Sequence, residues 1–250
     1  MGQLSGKRVW ITGGGTGIGA AAARTLAVSG AHVTVSGRRV EPLDEVVRTI
    51  EADGGIADAV PLDAADADAI ACAADEIGTV DILVASAGIN IPDRSLADMT
   101  TEGWDKVVSV NLDGVFYAAR AVLPGMRANG CGTVILVSSW AGRYATRLTG
   151  AAYNATKRAV IALNETINDE EGGNGIRSTV IMPGEVATDI LKSRPNPPPE
   201  HELARMLQAD DLAATIRFVA EMPQHVCLNE ILISPTWNRF YQGFEELSPD

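Results

Sequence analysis

The most specific chemistry in this sequence is offered by a tyrosine and a lysine four residues apart, Tyr153 and Lys157 in the stretch YNATK. The stretch is compatible with a helix, where this spacing sets phenol and ammonium on one face. A phenol near its reference pKa of ~10 is a poor base at neutral pH, and a nearby ammonium favours the phenolate. Far upstream, Thr12 opens TGGGTGIGAAAARTLAVSG, a glycine turn between a strand pattern and an Ala-rich helix pattern. That order places a pyrophosphate at a helix N-terminus. Side chains at Gly13, Gly17 or Gly19 would block the tight turn, backbone approach to phosphate, or packing of helix on strand. The turn lacks the G-K-[ST] end of a P-loop, which disfavours phosphorylation chemistry. After the second strand pattern, where a carboxylate would hold a free ribose 2′-hydroxyl, the chain reads Ser36, Gly37, Arg38, Arg39. Two guanidinium groups there favour a 2′-phosphate, hence NADP over NAD; the same pair also fits a solvated start to the next helix.

These groups need a scaffold. Short Val- and Ile-rich runs alternate with longer helical patterns, the signature of βαβ units. The strands are expected near Arg8–Ile11, His32–Ser36, Ala57–Leu62, Ile82–Ala85, Thr133–Val137, Arg177–Met182 and Glu230–Ile233. Helices are expected near 18–29, 40–53, 66–77, 103–128, 152–170 and 210–221. Continuous apolar strands such as VILV and VIM require cover on both faces. The predicted fold is therefore α/β, a Rossmann-type doubly wound sheet of seven parallel strands, in one dinucleotide-binding and catalytic domain over 1–250.

Composition narrows the partners. With 46% hydrophobic and 21% charged residues, the chain is that of an ordinary globular protein. Twenty Lys and Arg against 32 Asp and Glu leave a net charge of -12, which disfavours a nucleic-acid surface; an anionic ligand must be held by a local device. Cys72, Cys131 and Cys227 are odd in number and widely spaced, arguing against a disulfide framework or zinc site and for a reducing compartment. No apolar leader and no run long enough to span a membrane is present, so a cytoplasmic location without membrane association is expected. His201 in HELAR does not complete H-E-x-x-H, and no metal site is expected.

Along nearly its whole length the sequence resembles the short-chain dehydrogenase/reductase family, whose TGxxxGxG and YxxxK stand here as TGGGTGIG and YNATK. The resemblance implies catalytic roles for Asn111, Ser139, Tyr153 and Lys157. Tyr153 would exchange a proton with the substrate oxygen, Ser139 of the SSxxG motif would polarise that oxygen, and Lys157 would hold the nicotinamide ribose. Asn111 would link the lysine by water to a proton relay. Cofactor contacts are implied for Gly13, Gly15, Thr16, Gly17, Ile18, Gly19, Arg38, Arg39, Leu62, Asp63, Ala87 and Gly88. They are implied also for Asn111, Tyr153, Lys157, Pro183, Gly184, Val186 and Thr188, the last four within PGxVxT. The C-terminal stretch from Asp210 is similar to the NADP-dependent serine and 3-hydroxy acid dehydrogenase branch. The expected activity is NADP-dependent hydride transfer on a small polar hydroxy or keto substrate, in a homotetramer, or a homodimer, joined through the helices at 103–128 and 152–170. A non-catalytic NADP sensor on the same fold is the alternative.

Three departures stand out. The family's NNAG reads Ala85-Ser86-Ala87-Gly88, without either asparagine. The step from Ser139 to Tyr153 is one residue longer than usual, which places an insertion in the loop Arg143–Thr149. Glu185 occupies a position more often apolar or aromatic, where it could meet a substrate. Beside the serine, Trp140, Arg143, Tyr144 and Arg147 could bind a substrate carboxylate or phosphate, or form an oligomer contact. The segment RPNPPPEHE fits either a surface spacer or part of a lid.

Overall fold

A computed structural model describes residues 2–193 and 197–242. Its strands are β1 (Arg8–Thr12), β2 (His32–Gly37), β3 (Ile56–Pro61), β4 (Ile82–Ala85), β5 (Gly132–Val137), β6 (Ile176–Pro183) and β7 (Glu230–Ile233). All pair in parallel, in the order β3-β2-β1-β4-β5-β6-β7. The order reverses between β1 and β4, the switch point outside whose carboxyl ends doubly wound sheets bind ligands.

The helices are α1 (Gly17–Val28), α2 (Val40–Ala52), α3 (Ala67–Ile77), α4 (Thr101–Val108), α5 (Gly114–Asn129), α6 (Trp140–Arg143), α7 (Ala151–Glu171), α8 (Glu200–Leu203), α9 (Ala209–Ala220) and α10 (Arg239–Gln242). Alternation along the strands divides the core between two faces. On β1, Val9 and Ile11 pack with Leu26, Leu43, Leu212 and Ile216 of α1, α2 and α9. Trp10 turns the other way, to Ile70, Val115, Val122 and Val160 of α3, α5 and α7. The indole N–H of Trp10 is satisfied inside the sheet by the Ser36 hydroxyl at 2.9 Å.

Local chemistry sets the helix ends. Asp66 caps α3 by accepting from the amides of Asp68 and Ala69, both at 3.0 Å, and Thr100 caps α4 through Gly103. Gln208 and Asp211 form a reciprocal capping box on α9, whose far end is held by Arg177. That buried guanidinium donates to Thr133 Oγ1 at 3.1 Å and to the carbonyls of Val219, Met222, Pro223 and Val226. All seven expected strands and six expected helices are present, with ends shifted by one or two residues. One exception is the helix expected over 103–128: it is interrupted by a π turn at Ser109–Asp113. The short helices α6 and α10 had no sequence signal strong enough to predict them.

Candidate active site

Every loop that carries an expected site residue leaves the carboxyl end of a strand, so the sheet delivers them to one edge. Gly13 follows β1 with φ +68°, and a Cβ there would lie 2.7 Å from the Ala87 backbone after β4. Glycine is thus required for the two switch-point loops to touch. The amide of Ser86 donates to the Thr12 carbonyl at 3.2 Å and that of Ala87 to Thr12 Oγ1 at 3.5 Å. These contacts tie β4 to β1 where the family asparagines are missing.

Two chambers meet at Gly13 and Gly88. The first, about 860 Å³ including its open mouth, is lined by Thr16, Gly17, Ile18, Ser139, Tyr153, Lys157, Pro183, Gly184, Glu185, Val186 and Thr188 among others. The second, about 640 Å³, is lined by Arg38, Arg39, Leu62, Asp63 and Ala87. Gly15 and Gly19 line neither chamber. A Cβ on Gly15 would face Pro42 and Leu43 of α2, and one on Gly19 would strike the Gly13 carbonyl at 2.2 Å.

The chambers fit a dinucleotide phosphate. Thr16, at the N-cap of α1, has extended backbone and makes no side-chain cap, and the first turn of the helix holds no acid. The helix therefore presents its first amides and its positive dipole end to the cleft. A Cβ at Gly17, with φ +53°, would approach Thr188 Cγ2 to 3.2 Å, so the glycine keeps a passage open between turn and PGxVxT segment. Arg38 and Arg39 are exposed at the rim of the second chamber. Asp63 is exposed there too, its carboxylate accepting from the Ala65 amide at 3.0 Å.

In the first chamber, α7 carries Tyr153 and Lys157 on one face, with the lysine Nζ 5.7 Å from the phenol ring centre. Lys157 is 3% exposed, and its ammonium donates to the Val137 carbonyl at 2.8 Å. Burial pulls its pKa from 10.5 down to about 8, since the charged form loses hydration. Gly88 leaves room for it: a Cβ there would stand 3.3 Å from Nζ. Tyr153 is half-buried at the cleft wall.

Adjacent serines divide their tasks. Ser138 is buried and donates to the Lys157 carbonyl at 2.6 Å, pinning α7 to the end of β5. Ser139 lines the cleft and caps α6 by accepting from the Ala141 amide at 3.2 Å, which leaves its hydroxyl proton to donate elsewhere. The longer loop between Ser139 and Tyr153 is accommodated by the α6 turn and a side-chain net. Asn154 donates to the Thr146 carbonyl at 2.8 Å, Thr149 donates to Asn154 Oδ1, and Asn90 donates to the Thr149 carbonyl at 3.0 Å.

Asn111 lies in the π turn, fully buried. Its amide group accepts from the Ile89 amide at 2.8 Å and donates to the Ile89 carbonyl at 2.9 Å, fastening the loop after β4. The turn brings Asn111 Oδ1 to the same Cβ position at Gly88 that Lys157 approaches. Local π geometry inside an α-helix often marks a functional site.

The substrate side differs most from expectation. Arg143 points to Glu230 at 3.7 Å, and neither it nor Arg147 lines the cleft. Glu185 does line it, with Phe240 of α10, a residue that sequence reasoning missed. Part of RPNPPPEHE, residues 194–196, lies outside the described residues; α8, which follows, reaches the site through Glu202. Among the described residues no three potential metal ligands cluster, and no helix is long and apolar enough to cross a membrane.

Comparison with known proteins agrees with this geometry. The family model described as short chain dehydrogenase matches residues 7–198. Glycine betaine reductase ATRR of Emericella nidulans is 36% identical over 243 residues, which are 94% of this chain and 19% of that protein, so the chain spans about a fifth of its length. A metagenomic short-chain oxidoreductase solved in complex with NADP is 32% identical, with a TM-score of 0.82 over 94% of this chain and 100% of that one. A 3-oxoacyl-[acyl-carrier protein] reductase from Brucella melitensis, solved with bound NAD, is 27% identical, with a TM-score of 0.84 over 92% of this chain and 90% of that one. A seven-stranded parallel sheet, the glycine turn at its switch point and a family match over most of the sequence agree: the chain belongs to the short-chain dehydrogenases, a family of oxidoreductases.

Proposed function

We propose that this oxidoreductase uses NADP(H) to interconvert an alcohol and a carbonyl compound, with Tyr153 as general acid and base. The observation that carries the reading is Tyr153 at the cleft wall beside the buried ammonium of Lys157, with the Ser139 hydroxyl in the same chamber. Bound nicotinamide supplies or accepts the hydride at its C4. In reduction the Tyr153 hydroxyl gives its proton to the substrate oxygen, and in oxidation the phenolate takes it back. Lys157 stabilises that phenolate by its charge and holds the nicotinamide ribose. Ser139, whose lone pair is occupied by the Ala141 amide, donates its proton to the substrate oxygen and polarises the carbonyl. Asn111 holds the loop after β4 against the lysine and links it to a proton relay.

Arg38 and Arg39 support NADP over NAD, since their guanidinium groups rim the adenosine-side chamber in a protein of net charge -12. The substrate is a small polar hydroxy or carbonyl compound. The name of the relative from Emericella nidulans, glycine betaine reductase, adds quaternary ammonium compounds to the set to be assayed. The working form is a homotetramer in the cytoplasm, joined through α5 and α7; Phe116 on α5 is 44% exposed in the single chain. Titration with NADPH and NADH, followed by cofactor consumption against ketones and aldehydes, tests the reading. Tighter NADPH binding with turnover supports it; binding without turnover across neutral, cationic and anionic carbonyls favours a sensor.

A further inference from the structure

The C-terminal turn α10 puts a phenyl ring into the cleft, and the fold holds that ring in three ways. Phe240 lines the chamber that contains Ser139 and Tyr153, together with Ile190 and Leu191. It is half-buried, and its ring lies parallel to the indole of Trp140, with 5.9 Å between centres and 6° between planes. Trp140 is 4% exposed and directly follows Ser139, so the stack ties Phe240 to the segment that presents the serine hydroxyl. Next to Phe240, the buried Arg239 pairs through Nε with Glu185 at 3.0 Å and through Nη1 with Glu202. One guanidinium thereby clasps α10 both to the PGxVxT segment after β6 and to α8. The amide of Phe240 donates to Oδ1 of the buried Asn238 at 3.0 Å. A ring fixed by a stack, an ion-pair clasp and a backbone bond swings aside only by breaking one of them. Close-packed surroundings answer an oversized group with strain rather than with a new pocket.

We propose that Phe240 sets the size of the group accepted on the reacting carbon of the substrate, with Arg239 as the positioning residue that keeps the ring in place. Slim, unbranched substituents pass the ring, and substituents branched close to the reacting carbon clash with it. The selectivity is a built-in repulsion toward the bulkier compound rather than an added attraction toward the slimmer one. The proposal narrows the substrate class of the function argued above and rests on it.

The test compares two aldehydes with the same α-methylene group, butanal and 3,3-dimethylbutanal. Wild type should prefer butanal by about ten-fold or more in kcat/KM, the scale on which a fixed apolar wall discriminates between neighbouring sizes. Phe240→Ala should bring the ratio close to one, chiefly by lowering KM for the branched aldehyde, and reading a ratio cancels any general loss of activity. Phe240→Leu, which keeps an apolar side chain against the indole, should move the ratio part of the way. Arg239→Lys keeps a cation but lacks the fork that reaches both carboxylates, and should also lower the ratio in part. Equal use of the two aldehydes by wild type, or a wild-type ratio in both Phe240 variants, overturns the proposal while leaving the oxidoreductase reading intact. A wild-type ratio in Arg239→Lys overturns the role given to the clasp. NADPH binding with no turnover of any carbonyl compound overturns the proposal and the reading beneath it together.

Discussion

Lys157 does two things that pull in opposite directions. Its charge is what a phenolate at Tyr153 needs, yet the burial that brings it there lowers its pKa to about 8. Between about 8 and 10.5 the unfolded chain keeps a proton that the folded chain has shed, so this lysine adds stability as pH rises through that window and costs stability below it. Lys157→Met should therefore lose stability relative to wild type progressively from pH 8 to 10.5 in cofactor-free protein. Urea unfolding across that range reads the difference, and a gap independent of pH would refute burial as the cause. Ser139→Ala should lower kcat/KM by about a hundred-fold or more, the usual loss of a donor to a developing oxyanion, while NADPH affinity stays put. A loss of affinity equal to the loss of turnover would place Ser139 in cofactor binding instead. At this scale the sequence was informative wherever spacing and chemistry coincide, as in YNATK and the glycine turn. For Gly15 and Gly19 spacing alone does not say whether a missing side chain makes room for phosphate or for a helix.

At the scale of elements, the helices that hold the site are fastened by charged contacts between distant segments. Arg127 at the end of α5 makes a two-point pair with Glu171 at the end of α7, one of its bonds being Nε to Oε2 at 2.8 Å. The hydrogen-bonded guanidinium holds the Glu171 carboxyl down to about 2, against 4.5 ordinarily, while burial opposes the shift. A depressed carboxylate gives stability that is full above about 4.5 and lost as pH falls toward 2. Arg127→Leu should accordingly flatten the acid limb of the stability profile, and a variant with the wild-type acid limb would contradict this. Arg177→Met should destabilise by about 3 kcal/mol, because several buried carbonyls at the end of α9 lose their donor together. Chemical denaturation measures it, and a loss within error of zero would mean water replaces the guanidinium. The π turn at Ser109–Asp113 had no sequence signal, since its residues read as ordinary helix and only packing against the β4 loop selects the extra residue per turn.

For the molecule as a whole, a net charge of -12 opposes an anionic cofactor, so binding must come from the helix dipole, the glycine turn and the two arginines at the rim. NADPH at about a hundred times its dissociation constant should stabilise the protein by ~2.7 kcal/mol. NADH at the same concentration should do less, and Arg38→Ala should erase the difference in melting temperature; an equal shift by both cofactors in wild type would remove Arg38 from cofactor choice. The seven-stranded parallel sheet was legible because buried parallel strands read as continuous apolar runs between amphipathic helices. The substrate side was not: Arg239 and Phe240 come from a C-terminal stretch without periodicity, and their partners Glu185, Glu202 and Trp140 are scattered along the chain. The central claim is hydride transfer assisted by Tyr153, and the most direct measurement follows deuterium from NADPH labelled at nicotinamide C4, on each face in turn, into the product of a reduced aldehyde. The account predicts deuterium on the carbinol carbon with wild type from one of the two labels, and none with Tyr153→Phe although that variant still binds NADPH. A Tyr153→Phe variant that transfers the label at the wild-type rate, or a wild type that consumes NADPH without labelling the product, would contradict it.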